Sequence, residues 1–106
     1  MQHKQIIAQF TREVLLKYGG SVQAIMLFGS AARGEATEES DIDILVVWNG
    51  DKIEGWNALE GIAYKILLET RDYISLKVLT PDEFNLMKSK KTPFISNVLK
   101  NGVAIA

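Results

Sequence analysis

Two apolar runs and the polar stretch between them restrict this chain most. Ala24-Ile25-Met26-Leu27-Phe28 has no polar alternation and stops at Gly29-Ser30. A short Ala-rich segment carrying Arg33 follows, then a polar, acidic loop over residues 34–40. Asp41-Ile42-Asp43 then enters a second apolar run that ends at Trp48. A run without polar alternation is the mark of a strand covered on both faces. The second run places Ile42, Ile44, Val46 and Trp48 on one face and Asp41, Asp43, Leu45 and Val47 on the other, because strand side chains alternate. The fold is therefore expected to be built on two neighbouring strands, with both carboxylates on one side.

The flanking segments supply the rest. Ile6, Phe10, Val14 and Tyr18 recur at a helical step from about Gln2 to Tyr18, with Ile7 and Leu15 widening the stripe, and Gly19-Gly20 ends the helix. A second amphipathic helix runs from about Ile53 to Thr70, its stripe carried by Trp56, Leu59, Ile62 or Ala63, Ile66 and Leu67. Tyr73 to Leu79 alternates as a third strand, with Ile74, Leu76 and Val78 toward the helices and Tyr73, Ser75 and Lys77 away from them. Thr80-Pro81-Asp82-Glu83 has the form of a capping box, and Thr92-Pro93 repeats the helix-start signal. Lys88 to Lys91 reads as a solvated basic stretch, and Val103 to Ala106 as a short edge strand. The expected fold is α/β: a small mixed sheet of three or four strands, helices mainly on one face, in one domain spanning 1–106.

Composition excludes several classes. The net charge of −1 carries no electrostatic footprint of a nucleic-acid binder. No cysteine is present, so neither disulfides nor thiolate metal sites arise, and a cytoplasmic location is expected. The single histidine, His3, reads as a solvated residue of the first helix. No apolar run approaches the ~20 residues needed to span a bilayer.

Chemistry concentrates between Gly29 and Asp43. Glycine permits a sharp turn and close approach of a ligand, and a helix opening just after it presents unbonded N–H groups to an anion. Ser30 adds a hydroxyl and Arg33 a forked cation suited to phosphate. Asp41 and Asp43 share a strand face, and two adjacent carboxylates repel unless a cation joins them. Mg²⁺ favours such oxygens together with phosphate.

Phe28-Gly29-Ser30-Ala31-Ala32-Arg33-Gly34, the acidic loop, and Ser40-Asp41-Ile42-Asp43-Ile44 resemble the signature of the DNA polymerase beta nucleotidyltransferase superfamily. The length and the ending Pro93-Phe94-Ile95-Ser96-Asn97-Val98-Leu99-Lys100-Asn101-Gly102 are similar to its minimal nucleotidyltransferase branch. The resemblance implies a nucleoside triphosphate, ATP by expectation, held at Gly29 and Ser30; Arg33, Ser40 and Lys77 are further candidate nucleotide contacts. It implies Asp41 and Asp43 as catalytic ligands of Mg²⁺: two ions in an active site, one in a degenerate site. It further implies AMP transfer to a protein hydroxyl, and a helical HEPN-type toxin as partner in a toxin–antitoxin system. Exposed apolar surface on so small a chain also suggests self-association. One departure stands out. Active members carry a third carboxylate on a neighbouring strand, expected among Tyr73, Ser75 and Lys77, and none of these is acidic. Asp72 has the parity of the helix-covered side and could serve only if a bulge or bend at the strand start turned it over. The alternative is therefore a degenerate nucleotide-binding module that acts by stoichiometric contact with its partner.

Overall fold

Each apolar stripe of the sequence finds a sheet face in the computed structural model, which describes residues 2–35 and 41–106. Helix α1 (Gln2–Tyr18) leads through a 3-10 turn at Gly19–Ser21 into strand β1 (Val22–Phe28). A four-residue helix, α2 (Gly29–Ala32), follows. Strand β2 (Ile42–Trp48), helix α3 (Lys52–Thr70) and strand β3 (Ile74–Leu79) form the next unit. Helices α4 (Pro81–Lys90) and α5 (Pro93–Asn101) and strand β4 (Val103–Ala104) complete the chain. The strands lie in the order β3-β2-β1-β4. β1 runs antiparallel to β2 and β4, whereas β2 and β3 are parallel and joined by α3, the crossover that parallel neighbours require. This is the mixed α/β sheet expected from the sequence.

On one face, Ile6, Phe10 and Val14 of α1 and Leu59, Ile62, Ala63 and Ile66 of α3 pack against Ile25, Ile42, Ile44, Val46, Ile74, Leu76 and Val78. The other face is covered only in part. Leu45 and Leu79 meet Ile95 and Val98 of α5, with Met26, Phe28, Phe84, Met87 and Phe94 packed around them. The side expected to be open is thus closed by α4 and α5 over one half, while Ser75 is half-buried and Lys77 exposed.

Local signals account for the helix ends. Thr80 and Glu83 form the reciprocal capping box, with Glu83 N donating to Thr80 Oγ1 at 3.2 Å and Thr80 N to Glu83 Oε1 at 2.9 Å. The Thr92 hydroxyl accepts from Ile95 N. Lys88, Lys90 and Lys91 are exposed at the end of α4, as a solvated stretch should be.

Three expectations need correction. His3 is not solvated: it is 5% exposed, and its Nε2 has no hydrogen-bond partner among the described residues. It stands three and seven residues before Ile6 and Phe10, so it shares their buried stripe. Leu15 is 42% exposed and does not widen that stripe. Trp56 is 41% exposed, and the buried position beside it is Gly55, where Trp48 lies flat against the helix backbone.

Candidate active site

The end of β1 sets the geometry. Phe28 is extended, and Gly29 turns the chain with φ +73°, a conformation that side chains disfavour. A Cβ at Gly29 would overlap Asp43 Oδ2, so this carboxylate lies directly against the glycine backbone. The register explains the approach: Phe28 is the antiparallel partner of Asp43, and Ser75 is its parallel partner on β3. Asp43 is therefore flanked by the turn on one side and by a hydroxyl on the other.

The charges around it oppose one another. Burial, and then the Asp41 carboxylate, push the Asp43 carboxyl above its usual range. A hydrogen bond from Ser75 and the charge of Arg33 pull in the other direction without cancelling that rise. Two carboxylates in tension with one cationic side chain nearby form a pair that a divalent cation would relieve. No group of three or more potential ligands occurs among the described residues, so phosphate oxygens and water would complete the coordination. The donor set fits Mg²⁺ on those terms.

The structure brings Gly29, Arg33, Asp41 and Asp43 together, and Ser30 lies in α2 at the turn. Arg33 also pairs with Glu35, Nε to Oε1 at 2.9 Å, an exposed contact that a phosphate could displace. Ser40 lies outside the described residues. Lys77 is on the Asp43 side of the sheet two positions beyond Ser75, with its Nζ 5.7 Å from the centroid of the Phe94 ring. Asp72 is on the far side: its amide donates to Thr70 Oγ1, and it faces Gln5, Ile6 and Gln9 of α1. Ser75 thus stands beside Asp43 on the neighbouring strand, where the resemblance implies a third carboxylate.

A cavity next to Gly29 and Arg33 was not anticipated. Phe94, Asn97 and Asn101 of α5 line it too. Their spacing of three and four residues was a visible signal, since it aligns them on one face of α5.

Comparison with known proteins places the fold within a family. The family model described as "Polymerase beta, Nucleotidyltransferase" matches residues 9–106. The Methanocaldococcus jannaschii protein named "Putative protein adenylyltransferase MJ0604" is 37% identical over 102 residues, covering 96% of each chain. A second protein of that organism, "Putative protein adenylyltransferase MJ1379", is 43% identical over 77 residues, 70% of this chain and 75% of the relative. Among solved structures, a "putative nucleotidyltransferase" from Sulfolobus solfataricus superposes with a TM-score of 0.61 at 21% identity, over 94% of this chain and 76% of the other. A "toxin-antitoxin with AMP-PNP" superposes with a TM-score of 0.56 at 22% identity, over 92% and 70%. At these identities the two structures establish the shared fold. With a glycine turn, a carboxylate pair and a family match over nearly its full length, the chain belongs to the polymerase beta nucleotidyltransferase family.

Proposed function

We propose that this protein is a Mg²⁺-dependent adenylyltransferase that moves AMP from ATP to a hydroxyl of a partner protein. The observation that carries the reading is the Asp43 carboxylate seated against the side-chain-free Gly29 turn, with Asp41 and Arg33 beside it. Gly29, Ser30 and Arg33 would hold the triphosphate, together with Ser40, and Lys77 would lend charge from β3. Asp41 and Asp43 would hold Mg²⁺, which supplies charge neutralisation for the triphosphate and the leaving pyrophosphate. The acceptor hydroxyl oxygen attacks the α-phosphorus in line. The bond to the bridging oxygen breaks, pyrophosphate leaves with that electron pair, and the hydroxyl proton passes to a nearby carboxylate or to water. Two ions are expected for turnover.

The relatives' names support adenylyl transfer, and the fold shared with toxin–antitoxin proteins motivates the partner. We take that partner to be a small helical HEPN-type toxin, with this chain as antitoxin. Exposed Leu16 and Leu68 offer apolar surface for a partner or a second copy. No helix among the described residues is long and apolar enough to cross a membrane. The reading puts the reaction where ATP and Mg²⁺ are abundant, the cytoplasm. Ser75 opposite Asp43 favours a second reading, a one-metal nucleotide-binding antitoxin that neutralises by contact alone.

α-Labelled ATP and Mg²⁺ with co-expressed partner separate the two. Transfer of label by the wild type, lost in the Asp41→Asn/Asp43→Asn variant, is the expected result. No label, with the variant still neutralising its partner, establishes the contact reading instead.

A further inference from the structure

The cavity beside the phosphate turn measures about 230 Å³. Pockets that enclose a whole drug-sized ligand usually run to ~300–1,000 Å³, so this one suits a single ring system. Gly29 and Arg33 line it, which puts it within one nucleotide's reach of the turn. Its walls have two characters. Phe28 and Phe94 stand edge to face, with centroids 5.4 Å apart and planes at 89°, and offer apolar ring surface to the face of a base. Asn97 and Asn101 stand one helical turn apart, and Asn101 Nδ2 donates to Asn97 Oδ1 at 2.7 Å. That bond leaves the Asn97 amino group as donor and the Asn101 carbonyl as acceptor. Exchanging O and N in both amides again leaves one donor beside one acceptor. Adenine presents the complement, an accepting ring nitrogen next to a donating amino group, whereas the matching edge of guanine presents two acceptors.

We infer that Asn97 and Asn101 form an adenine-selecting subsite, an inference that rests on the nucleotide-site reading above. Both amides line the cavity and not the Gly29–Asp43 contact, so each would set base choice and not the chemistry. Guanine in the same place would set one of its two acceptors against the accepting carbonyl of the Asn97–Asn101 pair.

Titration calorimetry with Mg²⁺ and ATP, GTP or inorganic tripolyphosphate tests this. Wild type is expected to bind ATP about tenfold tighter than GTP, the worth of roughly one hydrogen bond. Asn97→Ala/Asn101→Ala keeps good helix formers on an exposed face. It should abolish that preference and leave tripolyphosphate binding unchanged, with circular dichroism confirming the fold. An equal affinity of wild type for ATP and GTP overturns the subsite, as does a variant that keeps the preference. Failure of tripolyphosphate and every nucleotide to bind overturns instead the reading on which it rests.

Discussion

At Gly29 two constraints meet, and each alone would exclude a side chain. The backbone has φ +73°, and the space a Cβ would take is filled by Asp43 Oδ2. Gly29→Ala is expected to cost about 1–2 kcal/mol from the dihedral alone, more from the clash, and to weaken ATP binding. Urea denaturation and nucleotide titration check both, and an unchanged affinity would remove the turn from the site. Asp43 allows a sharper test. Its carboxyl titrates above the ordinary 3.8, first because of burial and then because of Asp41. A raised carboxyl favours the protonated form in the folded protein. Its stabilising contribution is therefore complete below the unfolded value of 3.8 and lost as pH rises through the higher folded value. Asp43→Asn, which carries no charge and can still accept from Ser75, should be more stable than wild type at neutral pH without metal. The gap should close as the pH falls toward 3.8. Thermal unfolding across a pH series in a chelator measures it, and a gap independent of pH would refute the electrostatic cause. Mg²⁺ with ATP should reverse the order, because only the wild type gains the bound ion.

Within α3, two glycines have opposite expectations. Gly61 is exposed with nothing near its missing Cβ, so Gly61→Ala should stabilise by up to about 1 kcal/mol through helix propensity. Gly55 carries the same propensity gain, but a Cβ there would lie 2.6 Å from the ring carbons of Trp48. That ring cannot retreat easily, being 4% exposed and stacked edge-on by Tyr18 at 5.7 Å. Overpacking of this kind costs about 1–3 kcal/mol, which outweighs the gain. Gly55→Ala should therefore lower stability and alter the near-ultraviolet dichroism of tryptophan. Equal stabilisation by both substitutions in urea melts would show that Trp48 relaxes. The same packing explains why the stripe read from Trp56 was displaced by one residue: on the buried side the helix needed no side chain at all.

Across the whole molecule, one sheet carries two apolar clusters, with α1 and α3 behind and α4 and α5 in front. Leu45 in front and Ile44 and Val46 behind are consecutive on β2, so neither cluster can melt without releasing the other. A single unfolding transition is expected, coincident by tryptophan fluorescence and far-ultraviolet dichroism. Phe10→Ala, at a fully buried site, should lower stability by about 3–5 kcal/mol, a large part of the ~5–15 kcal/mol typical of a domain. Separate transitions by the two probes would show that α4 and α5 form an independent layer.

The sequence by itself determined the elements and the residue pattern of the central stretch. Alternation at Ile42, Ile44, Val46 and Trp48, the Thr80 cap and the Gly29-to-Asp43 spacing are local facts, since periodicity, capping and strand parity act over a few residues. Tertiary structure decided what depends on register and on who packs where. It set Ser75 directly across from Asp43, moved His3 into the core and closed half of the second sheet face with α5. It also brought Asn97 and Asn101 beside Gly29. These are contacts between residues far apart in the chain, made only when the strands pair and the helices settle on them.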